Sequence, residues 1–114
     1  DEHYAKNNPA TTLRDNPDRI RDAGLLIYLE CGTEDAFGLD RGTEFLHRVL
    51  YDNDIHHEYR YVMGGDHVGN TIPPRVRNGL EFLQRMLAPQ EPDTQVQRLH
   101  QLIRLWKRSA GLRE

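Results

Sequence analysis

Two short segments concentrate the residues whose types could do chemistry. Gly32-Thr33-Glu34-Asp35 carries two carboxylates, and Gly64-Gly65-Asp66-His67-Val68-Gly69 sets one imidazole and one carboxylate among three glycines. A carboxylate bonded to one ring nitrogen of a histidine fixes the tautomer and stabilises the imidazolium formed when the other nitrogen takes a proton. Such a pair is a general base able to activate a hydroxyl nucleophile. The glycines let the backbone turn sharply and bring the His67 ring to the surface. By residue chemistry either Glu34 or Asp35 can be its partner. Asp66, next to the histidine, is expected to form the turn by accepting nearby backbone N–H groups.

For the two segments to meet, the elements beneath them must end at the same place. "LLIYLEC", residues 25–31, is a continuous apolar run between Gly24 and Gly32, the pattern of a strand covered on both faces as in a parallel sheet. "HEYRYVM", residues 57–63, alternates Tyr59 and Tyr61 against Glu58 and Arg60, as a half-exposed edge strand does. Between them a helix is expected over about residues 41–52, capped by Asp40, with the stripe Phe45, Leu46, Val49 and Leu50. Strand, helix and strand at this spacing predict a right-handed βαβ unit with two parallel strands. The ligand site of such a sheet lies at the carboxyl ends of the strands, which is where both segments fall.

The flanks are helical. Asn8-Pro9 and Asn16-Pro17 read as helix starts, with Asn as cap and Pro at the first helical position, and Gly24 can close the second short helix in the left-handed conformation. "PPRVRNGLEFLQRML", residues 73–87, predicts a helix with Val76, Leu80, Leu83 and Leu87 on one stripe. "APQEPDT" is a linker, and "QVQRLHQLIRLWKRSAG" makes a last helix whose Val96, Leu99, Ile103, Trp106 and Ala110 form a seam. That seam can take a partner helix or dock on its own domain. The division is residues 1–88 and a linker with C-terminal helix over 89–114. Two parallel strands do not make an independently stable sheet, so the first strand is expected to have further neighbours.

Composition narrows the classes. A chain of 114 residues has room for one small domain. Net charge of −3 argues against nucleic acid, and no apolar run approaches the roughly 20 residues that span a bilayer, so neither nucleic acid nor membrane is an expected partner. A soluble protein is expected, with the cytoplasm slightly favoured. The single cysteine, Cys31, allows no internal disulfide and reads as a small buried hydrophobe rather than a nucleophile. His56-His57, with His47 or Asp54 nearby, invites a metal reading, but adjacent strand residues face opposite ways, so a solvated turn is expected and no metal or other cofactor. Phe37 and Leu39 can line an acyl or alcohol pocket, or pack the loop onto the following helix.

"IYLECGTEDAFGL", then a helix, then "HHEYRYVMGGDHVGNTIPPRVRNGLEFL", resembles the last third of an α/β-hydrolase. The likeness is to the esterase group that includes S-formylglutathione hydrolase-like, feruloyl-esterase-like and enterochelin-esterase-like enzymes, and it covers about residues 8–88. In that fold the acid follows the penultimate strand in a G-x-x-D pattern, here Gly32 to Asp35, and the base follows the last strand in G-G-x-H, here Gly64 to His67. The resemblance therefore implies Asp35 and His67 as acid and base of a Ser-His-Asp triad. It also implies an α/β fold that is a partial α/β-hydrolase, the last βαβα of a parallel sheet. The family's G-x-S-x-G elbow and oxyanion-hole loop have no counterpart, and the only serine, Ser109, stands in the terminal helix.

The expectation is a C-terminal fragment of a serine esterase: the parent a carboxylic-ester hydrolase acting on a small-molecule ester, this chain inactive alone. Its expected partners are the upstream part of the hydrolase domain and a second copy, through the exposed strand or the C-terminal helix. The alternative is a non-catalytic, hydrolase-like interaction module. A flavodoxin-like or phosphate-binding domain fares worst, lacking a Gly-rich first βα turn.

Overall fold

The computed structural model describes residues 2–88 and 91–112, so two residues of the expected linker, 89 and 90, lie outside the described residues. The elements run α1 (Glu2–Asn7), α2 (Pro9–Asp15), α3 (Pro17–Asp22), β1 (Tyr28–Gly32), α4 (Leu39–Asp52), β2 (Glu58–Val62), α5 (Ile72–Leu87) and α6 (Thr94–Ser109). The coarse class is α/β: β1 and β2 pair in parallel, with Tyr28 opposite Glu58 and Gly32 opposite Val62, and α4 makes the crossover. The short N-terminal α1 was not foreseen by the sequence patterns.

Strand alternation sorts the two faces of the sheet. Leu29 turns toward α2 and α4, where Ala10, Leu13, Val49, Leu50 and Ile55 form the core, with Ile20, Ile27 and Leu46 against it. Leu50 is fully buried. Tyr28 and Glu30 turn the other way, toward α5: the Tyr28 and Phe82 rings lie 5.4 Å apart, and the Tyr28 ring also faces Gly79. The asparagine starts divide. Asn8 caps α2 by accepting the Ala10 N–H at 2.9 Å, whereas Asn16 makes no side-chain cap bond and donates instead to the Thr12 carbonyl. Gly24 adopts φ +63° after α3, as its position predicts.

Three expectations need correction. The apolar run 25–31 is strand only from Tyr28, and Leu25 and Leu26 are exposed. A ladder needs a partner, and pairing begins where the Glu58 N–H reaches the Ile27 carbonyl (3.0 Å); before it, the His57 ring turns back to bond the Ile55 carbonyl. Asp40 does not cap α4. The cap is Gly38 in the left-handed conformation, and Asp40 accepts the Tyr61 hydroxyl at 3.1 Å. Finally, the α5 stripe Val76, Leu80, Leu83 and Leu87 is exposed, and Phe82 is the buried residue of that helix. The 75–79–82 edge lies on the sheet instead, with Arg75 paired to Glu30 of β1 and Phe82 packed on Tyr28. Periodicity locates an apolar face but does not say which face has a neighbour.

Candidate active site

Where β1 and β2 end, their backbones converge. Thr33 N–H donates to the Val62 carbonyl (3.0 Å), Glu34 N–H to the Gly65 carbonyl (2.9 Å), and Gly64 N–H to Thr33 Oγ1 (2.9 Å). The approach depends on Gly32, because a Cβ there would stand 2.0 Å from the Gly65 carbonyl oxygen. Gly64, at φ +69°, supplies the turn that starts the second loop. Two loops that the sequence separates by some thirty residues are thereby tied backbone to backbone at one rim.

Asp35 stands at the centre of that rim. Its Oδ1 accepts the N–H groups of Phe37 (2.9 Å) and Leu39 (3.3 Å), so the carboxylate closes its own loop and holds the first turn of α4, which Gly38 leaves without a side-chain cap. Its Oδ2 lies 3.3 Å from His67 Nδ1. The side chain is only 5% exposed. Burial pushes the carboxyl upward, but the N–H groups of Leu39 and Phe37 and the His67 ring outweigh it and hold it below the ordinary aspartate value.

An ionised carboxylate only accepts. His67 Nδ1 must therefore carry the hydrogen, which leaves Nε2 with its lone pair, and among the described residues nothing bonds that atom. At 46% exposure the imidazole stays within reach of an approaching group. The 3.3 Å spacing is longer than the roughly 2.7–2.9 Å of a fully charge-assisted bond. The Phe37 ring stands edge-on to the imidazole with centroids 4.9 Å apart and so limits its swing.

Two further groups fix the His67 loop. Asp66 Oδ1 accepts the N–H of Ala36 (3.0 Å) and of His67 (2.6 Å), one from each loop, so it joins them as well as forming the turn. Arg75 donates from Nη1 to the Asp66 carbonyl (2.6 Å) and from Nε to Glu30 (2.5 Å). Both side chains of that ion pair are largely buried, and Glu30 also takes the Tyr28 hydroxyl. Sequence reasoning missed Glu30 and Arg75. The available signal was a carboxylate in the middle of an apolar strand, a position where a charge needs a buried partner.

The remaining candidates fall elsewhere. Glu34 does not meet His67; its carboxylate lies by the Thr33 hydroxyl at 3.4 Å. Leu39 serves Asp35 through its backbone, while its side chain lines a hollow with Tyr4, Pro9, Leu29 and Phe45. Cys31 is buried against the Tyr59 hydroxyl at 3.7 Å, and burial pushes its thiol up, away from the reactive thiolate. His57 and His56 precede β2 rather than lying in it. His57 Nε2 contacts His47 Nδ1 at 2.8 Å while its Nδ1 donates to the Ile55 carbonyl, a pair held by hydrogen bonds; among the described residues no cluster of three or more His, Cys, Asp or Glu side chains is placed to hold a metal. Ser109 donates to the Trp106 carbonyl of its own helix.

A hollow lined by Leu25, Leu26, Phe82 and Met86 lies away from the pair, at the opposite end of the strands. No known protein family matches the chain, and no curated protein or solved structure matches it either. The rim holds an oriented Asp–His dyad with one accessible ring nitrogen, and among the described residues no hydroxyl or thiol is hydrogen-bonded to that ring. Such a dyad can take a proton from a nucleophile brought to it and return the proton to a leaving group.

Proposed function

We propose that Asp35 and His67 are the acid and base of a Ser-His-Asp triad, in a chain that forms the C-terminal part of an α/β-hydrolase-fold carboxylic esterase. The supporting observation is the Oδ2–Nδ1 contact of 3.3 Å at the carboxyl ends of two parallel strands, with Oδ1 held by two backbone N–H groups. In this reading β1 is the strand before the acid and β2 the strand before the base. The open edge of β1 then takes a further strand from polypeptide upstream, which also brings the serine and the oxyanion-hole N–H groups. Leu25, Leu26 and the stripe on α5 are apolar surface that the same polypeptide, or a second copy, can cover.

The serine hydroxyl attacks the ester carbonyl as His67 Nε2 takes its proton. The imidazolium so formed is stabilised by Asp35 and gives the proton to the departing alcohol, and water repeats the cycle on the acyl-enzyme. Phe37, beside the imidazole, is the candidate to touch the acyl or alcohol group; Leu39, with its side chain in another hollow, is not.

The test is turnover of a short-chain ester by the protein together with its upstream polypeptide. His67→Ala is expected to lower kcat by about 10² to 10⁴ with the thermal midpoint unchanged. A fall of less than about tenfold would remove His67 from the triad. If the intact protein turns over no ester while binding a partner through these surfaces, the chain is a hydrolase-like interaction module.

A further inference from the structure

The last helix differs in charge from the body it follows. In a chain of net charge −3, residues 94–109 carry Arg98, Arg104, Lys107 and Arg108 and no carboxylate. None of the residues of α6 is buried, and Val96, Leu99, Leu102, Leu105 and Trp106 are exposed. We propose that α6 is an interfacial helix that lies on an anionic lipid surface, its apolar face in the acyl boundary and its basic residues among the headgroups.

The layout of the helix supports one occupant over the others. At about 100° per residue, Val96, Leu99, Leu102, Ile103 and Trp106 fall within an arc of about 120°, and Leu105 lies about 60° beyond its edge. Lys107 borders the arc on one side, with His100 next to it, and Arg98 borders it on the other, between the arc and Leu105, while Arg104 and Arg108 fill the opposite face. Long cationic side chains at both borders of an apolar arc can rest their stems on it and send their charges to the headgroups. Sixteen residues span about 24 Å, too short to cross a bilayer and ample to lie along one. The want of a spanning segment, which argued against a membrane partner, has no bearing on this mode.

A second copy of α6 is a poorer occupant. Packing two copies along the apolar arc sets basic border against basic border with no carboxylate to answer it, and the helix holds fewer than three heptads. An acidic protein groove satisfies the charge. It would select a narrow line of anchors, however, whereas the apolar residues here spread over a third of the circumference along the whole helix.

The chain's one tryptophan, Trp106, sits on the apolar arc and reports insertion directly. The full chain is mixed with vesicles of phosphatidylcholine containing roughly one-third phosphatidylserine, and with pure phosphatidylcholine, at low and raised salt. The expected result is sedimentation with the anionic vesicles, a blue shift of Trp106 emission, and weakening of both by salt. Arg104→Gln should lower the partition coefficient about fivefold, the roughly fivefold carried by one basic residue near the surface, while Arg104→Lys retains it. The melting midpoint of the body should be unchanged in both, because α6 buries no side chain. Equal partition into neutral vesicles, or sedimentation with neither, overturns the proposal. So does a blue-shifted Trp106 in lipid-free protein that reverts on dilution, which assigns the face to a second copy. Retention on a polyglutamate matrix without vesicle binding assigns it to an acidic protein, with the same consequence.

Discussion

At the rim above the strands, each oxygen of Asp35 has a named partner: two backbone N–H groups on Oδ1 and the His67 ring on Oδ2. Along α6, by contrast, a longer stretch of regular structure buries no side chain at all. Both regions have conspicuous sequence patterns, glycines and titratable groups in one, an even apolar stripe in the other. The rim is over-determined because four elements act on it. β1 and β2 deliver the loops, α4 offers its first N–H groups to Asp35, and α5 sends Arg75 to the Asp66 carbonyl. The order of α6 comes from its own backbone and from Asp93, which accepts the Gln95 and Val96 N–H groups as cap. A pattern acquires a fixed geometry when independent elements constrain the same atoms.

That contrast can be broken most severely at Gly32. Gly32→Ala must separate the two loops or distort β1, since the new Cβ would lie 2.0 Å from a backbone carbonyl oxygen that no rotamer change can move. The expected loss is on the order of 4 kcal/mol, beyond the roughly 1–3 kcal/mol usual for overpacking, and it can be read from urea denaturation. Arg75→Ala comes next, at about 3 kcal/mol, because it leaves the largely buried Glu30 without its cation. Glu30→Gln in the Arg75→Ala background should recover part of that loss, and a double-mutant cycle would show coupling between the two positions. At the small end, Leu99→Ala on α6 should change the stability of the body by less than about 0.5 kcal/mol, although the same substitution at a core leucine such as Leu50 typically costs about 2–5 kcal/mol. A large effect of Leu99→Ala would mean that α6 packs on the body after all.

The parallel strands, the crossover helix and the meeting of the two loops were legible before any coordinates. Apolar run, amphipathic stripe and tyrosine alternation each matched one period, and parallel strands put their carboxyl ends on one side. Glu34 and Asp35 were not separable by residue type. The choice depends on a turn in which Asp35 bends back onto Phe37 and Leu39 while Glu34 gives its N–H to Gly65. The cap of α4 was misjudged for a related reason: Asp40 has the right side chain, but the chain turns at Gly38 and Asp40 is needed by Tyr61. Leu25 and Leu26 are as apolar as a strand residue can be, yet β2 has nothing to pair with them. For Arg75 and Glu30, forty-five positions apart, the chain shows that a carboxylate within an apolar strand needs a buried partner but not which residue supplies it.

The dyad itself is tested most directly by the proton on the His67 ring. Long-range ¹H–¹⁵N correlation spectra of this chain at a pH where the ring is neutral should find the hydrogen on Nδ1, held there by the Asp35 carboxylate, and Asp35→Asn should release it to the Nε2–H form or to a mixture. Hydrogen on Nε2 in the unaltered chain, or a tautomer indifferent to Asp35→Asn, would contradict the pairing on which the esterase reading stands.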